Sequence, residues 1–333
     1  MESTLMIGQP WMWAAFIGFV LVMLAVDLFL VGGNKAHKVS FKEAAAWSFV
    51  WFSLAMLFCL GLWWYLKGEY GDAVAHHKAM EFLTGYLIEK SLAVDNIFVF
   101  LMIFSFFAVP AEYQRRVLIY GVLGAIVMRA IMILAGAWLV KEFHWILYLF
   151  GAFLVFTGIK MLMFAEVEPD LSKNPLLNWI KRHIRMTPDY RGEKFWVVEN
   201  GVRMFTPLFL VLVMIEISDL IFAVDSIPAI FAITTDPFIV FTSNIFAILG
   251  LRAMYFMLAG MADRFHLLKY GLAMVLVFVG VKMLIVDFYK IPIGLSLGIV
   301  GLTIATFMFA SLWVTRGRAR AANASPAPGP IDS

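Results

Sequence analysis

Residues 85–100 read GYLIEKSLAVDNIFVF. The stretch is apolar enough to lie in lipid, yet it carries Glu89, Lys90 and Asp95. An ionisable side chain at the centre of a bilayer costs roughly 3 kcal/mol on insertion scales, and a chain keeps it only where it is paired or lines a wet cavity. What the rest of the chain places opposite these charges therefore decides both fold and function.

Outward from this stretch the chain stays apolar. Of 333 residues, 62% are hydrophobic and 15% charged, with a mean hydropathy of +0.87. A soluble surface needs more charge than that, and apolar runs of about 20 residues recur along the chain. They predict an all-α polytopic membrane protein with nine spans, at 11–31, 44–66, 82–107, 117–140, 144–164, 205–233, 238–260, 267–287 and 291–314. The first run is long enough to span and lacks a basic leader, so it reads as a membrane helix and not as a cleaved signal. The net charge of +3 gives no footprint for nucleic acid. The single cysteine, Cys59, rules out a disulfide framework and a multi-cysteine zinc site.

Lys and Arg gather in alternate connections: Lys35, Lys38 and Lys42 after span 1, Arg115 and Arg116 after span 3, a run from Lys173 to Arg203 after span 5, Arg264 and Lys269 after span 7, and Arg316, Arg318 and Arg320 after span 9. By the positive-inside rule the N-terminus lies outside and the C-terminus in the cytoplasm. The transmembrane domain covers 1–315, and 316–333 is a basic, Pro/Ala/Ser-rich tail expected to be disordered. The 165–204 loop contains KNPLLNWIKRHIRM, which reads either as an amphipathic interfacial helix or as a plain connector.

Three pieces recur in order. AVDN at 93–96 returns as AVDS at 223–226, RAIMILAG from Arg129 as RAMYFMLAG from Arg252, and LVFTGIKML at 154–162 as LVFVGVKML at 276–284. The repeat copies, about 82–164 and 205–287, each hold three spans. An odd number of spans inserts the copies in opposite senses, the arrangement of many secondary transporters, whose site lies where the copies meet. A third AVD, at 25–27, puts Asp27 near a span end, where a structural role is the simpler reading.

The acids fall on two spans: Glu89 and Asp95 on the third, and Glu216, Asp219 and Asp225 on the sixth. Aligning the AVD pieces places Glu89 over Asp219 and Asp95 over Asp225. If Asp95 and Asp225 meet at the midplane, Glu89 lies about 9 Å toward one side and Asp219 about 9 Å toward the other. Six residues also turn an ideal helix about 120° off that face, so one ion meets all these acids only if a helix is broken. Pro228 supplies a break beside Asp225. Carboxylates with Asn96, Ser226 and backbone carbonyls make a hard oxygen set suited to Mn²⁺, Mg²⁺ or Ca²⁺. Arg129 and Arg252, near the middle of their spans, are the candidate charge-balancing groups. The alternative is that they simply lock the two aspartates in buried ion pairs. Lys160 and Lys282 read as snorkelling residues, and Lys90 as the partner of a nearby acid. His76 and His77 read as a solvated outside pair, and Met102 and Met214 as packing or, less simply, soft ligands. No nucleophile–base pair or phosphate loop marks an enzyme.

The stretches FLTGYLIEKSLAVDNIFVF, RRVLIYGVLGAIVMRAIMI, GAFLVFTGIKM, EISDLIFAVDSIPAIFAITTDPFIVFTSNIFAILGLRAMYFML and LKYGLAMVLVFVGVKMLIVDFY together resemble the TerC family of integral membrane proteins, in its Alx-like branch. The resemblance covers nearly all of the chain before its last fifteen or so residues. It implies a nine-span protein of the bacterial inner membrane with a role in metal-ion homeostasis, chiefly Mn²⁺ export, and a link to tellurium resistance. It implies that the acids of the two AVD helices carry the metal, here Glu89, Asp95, Glu216, Asp219 and Asp225. It also implies transported Mn²⁺ without a tightly bound cofactor, a lipid environment and contact with the secretion machinery. Two functions follow as expectations: Mn²⁺ efflux by alternating access, or an accessory protein that supplies metal to secretion or redox partners without sustained transport. A tellurium oxyanion path fits poorly, because the densest intramembrane cluster is acidic.

Overall fold

The computed structural model describes residues 6–26, 40–143, 145–163, 177, 179, 182–199, 201–259 and 267–324, and of Asp95 and residues 316–324 it describes the backbone alone. Asp27 lies outside the described residues. The helices are α1 (Pro10–Val26), α2 (Phe41–Tyr70), α3 (Asp72–Phe106), α4 (Ala111–Glu142), α5 (Ile146–Met163), α6 (Pro207–Phe231), α7 (Pro237–Leu249), α8 (Leu251–Ala259), α9 (Leu268–Leu284) and α10 (Ile293–Ala324). Between α5 and α6 stands a hairpin of β1 (Trp196–Glu199) and β2 (Val202–Phe205).

Local chemistry sets the ends of these elements. The Ser40 hydroxyl accepts from the Glu43 N–H and starts α2. Gly71, with φ of 87°, stops α2 in a left-handed conformation and lets α3 begin at once. The Asp236 carboxylate accepts from the Phe238 N–H at 3.0 Å, and Pro237 follows in the first helical position of α7.

Among the described residues, six segments are long and apolar enough to cross a membrane: α2, α4, α5, α6, α7 with α8, and the part of α10 up to Thr315. α1 and α9 are apolar but only 17 residues each. α3 runs for 35 residues and carries too many charges to cross unaided. It packs against α2, α6, α7, α8, α9 and α10, so its charges lie among helices and not in lipid.

α4 shows why this is a membrane protein. Val127, Ile131, Leu134 and Trp138 form an exposed apolar stripe, while Arg129 on the opposite face is 1% exposed. In water that polarity would be reversed. α7 is buried from Phe238 to Leu249 on nearly every side, including Thr242, Ser243 and Asn244. An aromatic core formed by Phe16, Phe58, Phe82, Phe238 and Phe246 joins α1, α2, α3 and α7.

α5 and α9 pack closely on glycine. A Cβ on Gly158 would meet the Ala273 carbonyl oxygen at 2.8 Å and the Val277 nitrogen at 3.0 Å. A Cβ on Gly280 would meet the Gly151 carbonyl oxygen at 2.7 Å and the Val155 nitrogen at 2.8 Å. The two sets of contacts correspond residue for residue: 158 with 280, 151 with 273, and 155 with 277.

Several expectations are revised. Pro228 lies inside α6, which continues to Phe231, so it does not break the helix beside Asp225. The interruption falls instead at Gly250, between α7 and α8. α10 extends to Ala324, into the stretch expected to be a disordered tail. His76 and His77 belong to α3 and not to a loop. The interfacial helix falls mostly outside the described residues, where Leu177, Trp179, Arg182 and His183 are helical. The hairpin was not anticipated, although FWVVENGVRMF carries its signal: an Asn-Gly pair between β-prone runs. Gly201 has the positive φ, 74°, that such a turn needs.

Candidate functional site

Glu89 of α3 and Asp219 of α6 converge on α4. Arg129 lies near the middle of α4, and its guanidinium binds two carboxylates at once. Its Nε and Nη2 donate to Asp219 at 3.3 and 3.0 Å, and its Nη1 donates to Glu89. Nη1 also reaches Asn244 Oδ1 at 3.1 Å and Ser226 Oγ at 3.4 Å. Glu89, Arg129, Asp219, Ser226 and Asn244 are all no more than 2% exposed. The Asp219 contact is the two-pronged arrangement that suits a planar guanidinium.

Helix phase explains which residues meet. Seven residues turn an α-helix by about 700°, nearly two whole turns, so i and i+7 share a face. Glu89 and Asn96 are so related on α3, and Asp219 and Ser226 on α6. Asn96 is buried at 2% exposure. Asp225 is six residues from Asp219 and therefore points elsewhere. It accepts a hydrogen bond from Thr157 of α5 and lies near Lys160. The expected separation of Glu89 and Asp219 onto opposite approaches is thus corrected: the two acids meet on one guanidinium. The Asp95 side chain lies outside the described residues.

Glu216, one turn before Asp219, lies close enough to it to be felt electrostatically. It fits against α4 where Gly124 leaves room, since a Cβ there would sit 2.0 Å from Glu216 Oε1. Two carboxylates, Glu89 and Asp219, thus share a single guanidinium, and Glu216 lies beside Asp219. Among the described residues, Glu89 Oε2, Glu216 Oε2 and Asn244 Nδ2 are buried without a hydrogen-bond partner. Such groups are uncommon, because a buried polar atom left unpaired costs about 1–3 kcal/mol. No three His, Cys, Asp or Glu side chains among the described residues converge as a ready metal cage.

The other candidates divide. Arg252 is buried on α8 at 6% exposure. The Lys90 ammonium donates to the Ala247 carbonyl oxygen at 3.3 Å, beside the break at Gly250, and pairs with no acid among the described residues. Lys160 is exposed and lies near Asp225, while half-buried Lys282 lies within electrostatic reach of Glu81 and so does more than snorkel. Met214 is 3% exposed in an apolar cluster, and Met102 packs on the same cluster.

A second buried polar group lies at the start of α3, and the sequence reading did not identify it. Lys78 Nζ contacts Glu81 at 3.0 Å and Asp236 at 3.5 Å, with Lys78, Glu81 and Asp236 all nearly inaccessible. Thr234 donates to Glu81 at 2.8 Å, the Ile7 N–H donates to Asp236 at 2.9 Å, and His77 lies 3.4 Å from Glu81. The pattern KAMEF at 78–82 was legible as a possible i,i+3 pair, but its partner Asp236 lies far along the chain.

The family described as "Integral membrane protein TerC family" matches residues 74–319. The chain is 60% identical over 309 residues to the "Putative membrane-bound redox modulator Alx" of Escherichia coli K12, covering 92% of this chain and 96% of that protein. It is 58% identical over 313 residues to the protein of the same name from Photorhabdus laumondii, covering 94% and 98%. It is 51% identical over 316 residues to "Uncharacterized membrane protein STKORF319" of Myxococcus xanthus, covering 95% and 96%. No solved structure matches the chain.

Proposed function

From the premise that this chain belongs to the TerC family of integral membrane proteins, we propose that it is a divalent-metal transporter of the bacterial inner membrane, exporting Mn²⁺ by alternating access. The observation that carries this reading is the excess of buried acid around Arg129. Two formal negative charges, on Glu89 and Asp219, face one positive charge, and Glu89 Oε2 is left unpaired. A hard divalent cation bound by Glu89 and Asp219, with the Asn244 and Ser226 oxygens, supplies the missing charge. The guanidinium holds the same acids when the ion has left, so metal and Arg129 alternate on one pair of carboxylates. Protons are the second means of neutralising the acids, which couples metal exit to proton entry.

The repeat copies 82–164 and 205–287 are the moving halves in this reading. Glu89 and Asp219 are counterparts in the repeat, as are the Gly158 and Gly280 contacts, and both sets sit where the copies meet. The charge bias of the loops orients the N-terminus outside and the C-terminus in the cytoplasm.

A second reading is favoured by the relatives named as redox modulators: an accessory protein that delivers metal to secretion or redox partners. The chain contains one cysteine, Cys59, so no dithiol–disulfide relay operates within it. Any redox effect of this chain then runs through the metal it handles or through a partner. Purified protein in liposomes separates the readings. A carrier moves Mn²⁺ across the bilayer in preference to Mg²⁺, Ca²⁺ and Zn²⁺, and Glu89→Gln and Asp219→Asn stop it. Metal binding without flux supports the accessory role. Mn²⁺ flux that ignores an imposed pH gradient removes the proton coupling.

A further inference from the structure

A groove of about 730 Å³ lies between the hairpin and the neighbouring faces of α4 and α6, away from the Arg129 cluster. Its floor is apolar and aromatic, with Tyr120 of α4 and Phe209 and Leu212 of α6. Its mouth carries Arg116 and Lys194, with Trp196 beside them. The Arg116 guanidinium lies over the Tyr120 and Phe195 rings, at 6.0 and 5.7 Å. It pairs with Glu193 at 3.5 Å, and its Nε is buried without a hydrogen-bond partner. The other acid of the groove, Glu199, is bound by Arg191 at 2.9 Å. Lys194 is exposed, and Arg203 stacks over Trp196 at 4.8 Å. Arg116, Arg191, Lys194 and Arg203 thus outnumber Glu193, Glu199 and Asp189, and Lys194 and Arg203 are the basic groups not engaged in a salt bridge among the described residues.

The hairpin is itself amphipathic. Trp196 is 50% exposed and Val198 66%, beside these basic groups. Tryptophan next to Lys and Arg is the composition of a membrane–water interface. Tyr120 is 44% exposed and continues onto the apolar stripe that begins at Val127, so the floor of the groove opens toward lipid.

The geometry points to a binding site for an anionic glycerophospholipid of the leaflet on the side of the basic loop. Arg116 and Lys194 take the phosphate, and an acyl chain lies along Tyr120, Phe209 and Leu212. The basic residues match the headgroup charge. The apolar lining of Tyr120, Phe209 and Leu212 matches a chain, which inorganic phosphate lacks. The site is independent of metal transport.

The test uses the full-length protein in detergent with dibrominated phosphatidylglycerol or dibrominated phosphatidylcholine. The difference in quenching between the parent and Trp196→Phe isolates the signal of Trp196. The expected result is half-quenching of Trp196 at a lower concentration of the glycerol lipid than of the choline lipid. Lys194→Gln then raises that concentration about fivefold, the loss of one basic contact near a membrane surface, and leaves the choline lipid unaffected. Arg116→Gln has a similar or larger effect, and because Lys194 is exposed, Lys194→Gln decides the matter if Arg116→Gln does not fold. Equal quenching by the two lipids, or an undiminished response in Lys194→Gln, overturns the site. Displacement of the lipid by millimolar inorganic phosphate overturns the lipid assignment.

Discussion

Glu89 on α3 and Asp219 on α6 share a single partner, the guanidinium of Arg129 on α4. They are also counterparts in the sequence repeat, each followed seven residues later by a small polar residue, Asn96 or Ser226. The repeat counterpart of Arg129, Arg252, is buried on α8. A pair of equivalent acids is therefore neutralised unequally by one cation, and that imbalance is what a divalent ion can exploit.

Removing the guanidinium tests the balance. Arg129→Met leaves two buried carboxylates without their partner, a loss of about 3–5 kcal/mol. The variant is expected to melt well below the parent in metal-free detergent. Mn²⁺ at 100 times its Kd returns about 2.7 kcal/mol, and the rise in Tm should exceed that of the parent, because no tethered cation competes. A variant that melts low and gains nothing from Mn²⁺ shows that the pair is structural only.

Helix phase makes a prediction about the aspartates. Asp225 accepts from Thr157, away from Arg129. Asp225→Asn is therefore expected to retain more Mn²⁺ flux than Asp219→Asn in matched proteoliposomes, by at least about tenfold if the full difference of roughly 1.4 kcal/mol or more lies in binding. The reverse order restores Asp225 to the centre.

The glycines of α5 and α9 offer a test of the repeat. Gly158→Ala and Gly280→Ala each drive a methyl group against a backbone carbonyl of the facing helix. Overpacking of this kind costs about 1–3 kcal/mol, and the two variants should lose similar amounts in thermal melts. Gly298→Ala, with nothing within 4 Å, should be neutral or gain up to about 1 kcal/mol. Unequal losses at Gly158 and Gly280 break the correspondence between the two contacts.

The second ionic cluster holds the N-terminal segment. Asp236 caps α7 and accepts from the Ile7 N–H. Asp236→Ala removes a helix cap, worth about 0.5–2 kcal/mol, and leaves Lys78 with Glu81 alone. Hydrogen exchange is expected to rise at Ile7 before it rises in α6. Unchanged protection at Ile7 contradicts the role assigned to Asp236.

Much of this was legible in the sequence, because hydropathy and repeat are one-dimensional signals. The apolar runs located the helices, and the AVD alignment matched Glu89 to Asp219. Depth and facing are harder to read. The alignment treated the AVD aspartates as the centre, whereas rotation puts the residues seven places from Glu89 and Asp219 on their face and the residues six places on elsewhere. Asn244 was hidden because an all-buried helix shows no polar face and so no periodic trace, although the run Thr242-Ser243-Asn244 in an apolar segment was a usable clue. The described partner of Lys90 is a backbone carbonyl, which no side-chain pattern reveals.

Mn²⁺ binding to the purified protein, followed by the loss of the free-ion paramagnetic resonance signal, tests the central claim most directly. The parent is expected to take up the ion, while Glu89→Gln and Asp219→Asn, each folded by its melting profile, lose that uptake. Undiminished Mn²⁺ binding in both variants would show that the two acids held by Arg129 are not where the metal goes.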